Sequence, residues 1–128
     1  MEGFYHVWFS TKDRKPSLQG DVGQSVKRLL VEIARRAELD LVEVETNLDH
    51  AHLLVRLEGD QTLSKAMHQL KGASSRYTFL TYPDLRLDLG TSSFWQKSYG
   101  WRKVEPSEVS GVRAYIRTQQ QRPHRHEY

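Results

Sequence analysis

Residues 41–57 read Leu41-Val42-Glu43-Val44-Glu45-Thr46-Asn47-Leu48-Asp49-His50-Ala51-His52-Leu53-Leu54-Val55-Arg56-Leu57. Two apolar, β-branched runs flank a short turn containing Asn47 and Asp49. This predicts a strand over Leu41 to Thr46 and another over His50 to Leu57, joined as a hairpin. Successive strand side chains point to opposite faces. Ala51, Leu53, Val55 and Leu57 therefore form an apolar face that calls for a helix packed on it, and His50, His52, Leu54 and Arg56 share the other.

Outward from the hairpin, Val22, Val26, Leu29, Leu30, Ile33 and Ala37 recur at helical spacing. They follow an aromatic and β-branched strand from Phe4 to Thr11 and a polar loop from Lys12 to Gly20. After the break at Gly59 and Asp60, Leu63, Ala66, Met67, Leu70, Ala73, Tyr77 and Leu80 outline a second helix, capped by Thr62. A loop through Pro83 and Gly90 leads to a fourth strand over Phe94 to Val104. Pro106 suits the first turn of a last helix, with Glu105 and Glu108 near its positive end. That helix is expected to reach about Gln121 and to stop before Pro123. The order β-α-β-β-α-β plus a final helix predicts an α+β, ferredoxin-like (split βαβ) antiparallel sheet. Helices are expected on one sheet face, with the other open, and residues 1–128 as one domain. Many functions use this fold, so function must come from the site.

The bulk composition narrows the classes. The 128 residues are 38% hydrophobic and 27% charged, an ordinary balance for a globular chain and unlike a disordered one. No apolar run approaches the roughly 20 residues of a membrane helix, and Met1 to Phe9 lacks the pattern of an export signal. A cytoplasmic protein is expected. With no cysteine, a metal would need nitrogen and oxygen ligands. Residues 21–60 carry five basic and nine acidic side chains, whereas residues 61–128 carry eleven and five. A basic C-terminal half suggests a face suited to phosphate.

His50 and His52, two apart on one strand, project side by side, where both could reach one cation. Two half-exposed histidines without a ligand is the competing reading. Asp49 is either an orienting neighbour or a turn residue, and the turn is the simpler reading. On the last helix Val109, Val112 and Ile116 form an apolar stripe, with Tyr115 and Gln119 on one flank and Arg113 and Arg117 on the other. A phenol and an amide oxygen on one helical edge could face a metal-bound phosphate, with Gln119 as a third ligand and Tyr115 as nucleophile.

The chain resembles the single-tyrosine HUH transposases of small insertion sequences, including the REP-associated type. The resemblance is carried by Asp49-His50-Ala51-His52, Tyr5-His6-Val7-Trp8-Phe9-Ser10-Thr11-Lys12, Leu70-Lys71-Gly72, Phe94-Trp95-Gln96-Lys97-Ser98-Tyr99-Gly100 and Tyr115-Ile116-Arg117-Thr118-Gln119. Leu48 departs from it, standing where relatives often have proline. The resemblance implies that Tyr115 attacks a DNA phosphodiester, leaving a 5′-phosphotyrosine and a free 3′-hydroxyl that later rejoins. It implies magnesium or manganese on His50, His52 and Gln119. It further implies a homodimer acting on single-stranded DNA with imperfect palindromes folded as hairpins.

Lys71, Arg76, Lys97, Arg102, Lys103, Arg113 and Arg117 are the candidate nucleic-acid contacts. Trp95, Tyr99 and Trp101 could stack bases or pack in the core. His6 and His68 read as structural and surface histidines, and His124 and His126 as a basic tail. The alternative is a non-catalytic single-stranded DNA- or RNA-binding module on the same fold. A hydrolase using metal-bound water lacks a carboxylate base at a convincing spacing.

Overall fold

A computed structural model describes residues 1–90 and 93–119 of the chain. Strands β1 (Gly3–Ser10), β2 (Asp40–Thr46), β3 (His50–Leu57) and β4 (Gly100–Val104) form one sheet in the order β2-β3-β1-β4, every neighbouring pair antiparallel. Helix α1 (Gly20–Arg36) links β1 to β2, and α2 (Leu63–Thr81) follows β3. This is the split βαβ arrangement, with the hairpin strand β3 and the first strand β1 at its centre.

The two central strands supply the core. In register, Tyr5 stands beside Val55, Val7 beside Leu53 and Phe9 beside Ala51. These residues pack with Val26, Leu30 and Ala34 of α1 and Met67 and Leu70 of α2. Complete burial of a side chain such as Leu30, Leu53 or Leu70 contributes about 1.5–3 kcal/mol, and all three are fully buried. The Thr62 hydroxyl caps α2 by accepting from the Lys65 amide at 3.2 Å, satisfying one of the donors a helix start leaves over.

Three features differ from the sequence expectation. The face expected to lie open is covered by α4 (Val109–Arg117), whose Val112 and Ile116 pack against Leu54 and Val104. An amphipathic helix cannot leave its apolar stripe in water when Leu54 offers a dry partner. The fourth strand is shorter than expected, because Phe94 and Trp95 are consecutive and both buried. An alternating strand cannot send neighbours into one core, so residues 94–99 run as a loop, with an isolated bridge from Trp95 to Thr11 just past the end of β1. The loop expected through Pro83 and Gly90 contains a short helix, α3 (Asp84–Leu89), closed by Gly90 at φ 63°. A one-and-a-half-turn helix gives too few repeats for periodicity to register.

The start of α4 follows its sequence signals: Pro106–Glu108 form a 3-10 turn, with Glu105 and Glu108 making a reciprocal capping box. Helix α4 ends at Arg117 with Thr118 as its C-cap, short of the expected end near Gln121, which lies outside the described residues.

Gly23 marks a close approach within this framework. A Cβ there would lie 2.5 Å from the Leu18 carbonyl oxygen, whereas one at Gly72 would meet nothing within 4 Å. Gly23→Ala is therefore expected to lower the unfolding free energy by about 1–3 kcal/mol. Gly72→Ala, on an exposed helical face, is expected to raise it by about 0.5–1 kcal/mol. Urea denaturation measures both, and equal effects would contradict the packing described here.

Candidate active site

The covered face of the sheet collects an unusual set of polar side chains. Alternation along β3 places His50 and His52 on it, and the antiparallel register sets Trp8 beside His52 and His6 beside Leu54. From β4, Gly100 and Arg102 flank Trp8 and His6. From β2, Glu45 stands beside His52 and Glu43 beside Leu54. The expected exposure of the histidines is not found: His6, His50, His52 and Asp49 are all buried, because α4 lies over them.

Buried polar groups need partners, and each histidine has one through a specific ring nitrogen. His50 Nδ1 is 2.7 Å from Asp49 Oδ1. Asp49 is thus more than a turn residue. The side chain that closes the turn is Asn47, whose Oδ1 accepts from the backbone amides of Asp49 and His50 at 3.2 and 2.8 Å. His52 Nδ1 is 3.3 Å from His6 Nε2. Burial, aided by the positive charge of Arg102, pulls the His6 pKa down to about 4, so His6 is neutral at pH 7. The His50 and His52 rings stack with centroids 6.2 Å apart.

Helix α4 brings its tyrosine onto this group. The Tyr115 ring stands edge-on to His6 and His52, with centroids 5.9 and 6.1 Å away. One turn further, Gln119 is buried and its Nε2 donates to the Tyr115 carbonyl at 3.3 Å. A cleft of about 480 Å³ opens beside Tyr115, lined by His6, Trp8, Arg102, Glu108, Gly111 and Val112. Gly100 is what lets Trp8 line it, since a Cβ there would lie 2.1 Å from the indole nitrogen.

Among the described residues no three His, Cys, Asp or Glu side chains cluster as a metal site. The available donors are two imidazoles, each held through Nδ1, and the carboxamide oxygen of Gln119. Two nitrogens and an oxygen are donors of the kind that suits a divalent cation.

The candidate nucleic-acid contacts do not form one surface. Lys97, Arg102 and Lys103 are exposed along the β4 edge and the loop before it. Arg102 lies 3.7 Å from Glu108. Arg113 and Arg117, at the opposite edge of the sheet, both bind Glu43 Oε1, at 3.1 and 3.0 Å. Arg76 lies on α2, over the Tyr77 ring. Lys71 has a different occupation. Its ammonium donates to the carbonyls of Gln96, Lys97 and Ser98 at 2.7, 3.0 and 3.0 Å. It sits between the Phe9 and Tyr99 rings, and burial lowers its pKa to about 8, which leaves it charged at pH 7. Of the aromatics, Trp95 is in the core and donates to Ser74 Oγ, while Trp101 is half exposed on the β4 edge. His124 and His126 lie outside the described residues.

The sequence reading missed His6, Trp8 and Glu43 as parts of this group. Alternation in β1 and β2 could have put each on a face, but which face meets which needs the strand register.

The family described as IS200-like transposase matches residues 2–119. The chain is 32% identical over 115 residues to the ISDra2 transposase TnpA of Deinococcus radiodurans, covering 90% of this chain and 82% of that one. It is 27% identical over 95 residues to the transposase for insertion sequence element IS200 of Salmonella typhimurium, covering 74% and 62%. A crystal structure of a candidate transposase from Deinococcus radiodurans superposes with a TM-score of 0.76 at 29% identity, covering 94% and 92%. The REP-associated tyrosine transposase bound to a REP hairpin superposes with a TM-score of 0.66 at 14% identity, covering 92% and 67%, a likeness of fold.

The different environments of the lysines make a separable prediction. Lys71→Met leaves three carbonyls without their donor and is expected to cost about 1.5–3 kcal/mol of stability. Lys97→Ala should leave the melting temperature in place, weaken DNA binding and reduce its salt slope by about 1. Thermal denaturation and binding titrations against salt check the pair. Unchanged stability in Lys71→Met would refute its structural role.

Proposed function

We propose that this chain, which belongs to the IS200-like transposase family, cuts and rejoins single-stranded DNA at hairpin-marked element ends with Tyr115 as nucleophile. Membership carries DNA transposition as the activity class. The observation that carries the finer reading is the Tyr115 ring set edge-on over His6 and His52 in one buried group, beside an accessible cleft.

In the reaction the Tyr115 oxygen attacks the phosphorus. The bond to the 3′-oxygen breaks, leaving a 5′-phosphotyrosine, and the 3′-oxygen takes up a proton in exchange for the one the phenol loses, giving a 3′-hydroxyl. A 3′-hydroxyl then attacks the phosphotyrosine and returns the oxygen to Tyr115. One phosphodiester is exchanged for another, so no nucleotide cofactor is needed. An unassisted phenol with a pKa near ~10 is a weak nucleophile at pH 7. Magnesium or manganese, held by His50, His52 and Gln119, would supply positive charge against the phosphate oxygens. Asp49 fixes the His50 ring, and α4 keeps bulk water from the histidines.

Hairpin DNA as the substrate is supported by the bound hairpin of the REP-associated relative. We further propose a homodimer in which each chain uses its own histidines, since Tyr115 stands over His52 of the same chain.

Incubating the protein with single-stranded hairpin DNA and Mn²⁺ is expected to give a covalent adduct that resists denaturing electrophoresis. Tyr115→Phe should abolish it. His50→Ala and His52→Ala should lose it while retaining most DNA affinity, because phosphate contacts carry binding. An adduct formed by Tyr115→Phe, or full activity in chelator, would overturn the nucleophile or the metal respectively.

Mixing Tyr115→Phe with the His50→Ala, His52→Ala double variant tests the arrangement of the dimer. With sites built within one chain, the mixture should form no more adduct than the separate variants. Recovery of adduct would place Tyr115 in a partner's site.

A further inference from the structure

We infer that His6 is a positioning residue that holds His52 in the tautomer with its proton on Nδ1. This leaves the Nε2 electron pair as the one His52 can offer. The choice between the two possible tautomers rests on the reading of His52 as a metal ligand, and the tautomer is measurable without a metal.

The contact between His6 Nε2 and His52 Nδ1, at 3.3 Å, joins two nitrogens that can share one proton. Two arrangements satisfy it. If His6 donates, His52 carries its own proton on Nε2, and that nitrogen has no electron pair for a cation. If His52 donates, its proton is on Nδ1, Nε2 is a base, and His6 carries its proton on Nδ1. The hydrogen bond at one ring nitrogen thus decides the chemistry of the other.

The neighbouring histidine shows the same device. His50 Nδ1 meets Asp49 Oδ1 at 2.7 Å, and a carboxylate oxygen accepts, so the His50 proton is on Nδ1. Both histidines then present the same nitrogen, as two ligands of one ion require. For His52 the acceptor is an imidazole from another strand, aligned by the register that sets His6 beside Leu54 and Trp8 beside His52. His6 is itself fixed. It is buried, with the Trp8 ring edge-on 5.0 Å away and the Tyr115 ring 5.9 Å away. An unassisted histidine in water favours the Nε2 proton, so the acceptor at Nδ1 has work to do.

The test is long-range proton–nitrogen NMR on the metal-free full chain with ¹⁵N-labelled histidine, the His52 signals assigned by their loss in His52→Ala. Wild type is expected to show His52 protonated on Nδ1. His6→Leu should move the proton to Nε2, and His6→Gln, whose amide oxygen can accept, should restore Nδ1. In parallel, Mn²⁺ affinity measured by electron paramagnetic resonance should fall about 10- to 100-fold in His6→Leu and recover in His6→Gln. A wild-type His52 protonated on Nε2, or a tautomer unchanged in His6→Leu, would overturn the inference. If the tautomer responds while His52→Ala binds Mn²⁺ like wild type, the positioning role stands and the metal assignment fails.

Discussion

The docking of α4 onto the outer face of β3 is the contact on which the site depends. It turns a strand that could have faced water into one buried on both sides, with every residue of His50–Leu57 buried except Arg56. A helix laid over two histidines has to be stabilised by something other than them. Ile116, Val112, Leu54 and Val104 provide it: the complete burial of Ile116 alone contributes about 1.5–3 kcal/mol. The pairs that Glu43 makes with Arg113 and Arg117 are partly exposed, and such bridges contribute about 0–1 kcal/mol each. Apolar packing therefore carries the docking, and the shared carboxylate contributes direction. Two guanidinium groups four residues apart on one oxygen fix how α4 sits along β2.

Burial then dictates the polar chemistry. Once α4 excludes water, each imidazole must find its partner within the protein. Asp49 from the turn and His6 from β1 are the groups in reach. The same requirement that keeps the fold from losing stability gives the two histidines matched orientations. A structural demand and a chemical one are met by the same hydrogen bonds.

Much of this was legible in the sequence, and the limits have physical causes. The bounds of β3, the Thr62 cap and the helix start at Pro106 are local signals, and all appear as read; the capping box between Glu105 and Glu108 adds to that start what their charge alone did not show. Membership of the transposase family was also legible, because its motifs are short runs of adjacent residues. The burial of His50 and His52 was not. It depends on α4 folding back across 50 or more residues, and no alternation pattern within β3 records that. The partnership of His6 with His52 depends on a register set by the whole β1–β3 ladder, since a one-residue slip would turn His6 to the opposite face. The loop character of residues 94–99 was hidden because aromatic residues favour strands. Only two consecutive buried rings, Phe94 and Trp95, betray it.

Lys71 joins two of the motif runs that the sequence shows separately. On charge alone a lysine on a helix edge reads as a phosphate contact. Its three carbonyl acceptors belong to Gln96, Lys97 and Ser98, so it anchors the loop that leads into β4. That loop is further held by Phe94 and Trp95 on Ser75 and Ser74, and it delivers Gly100 against Trp8. Trp8 lines the cleft beside Tyr115. A half-buried charge under a loop on one side of the sheet thus helps shape the cleft on the other, through Gly100, which tolerates no side chain where Trp8 packs.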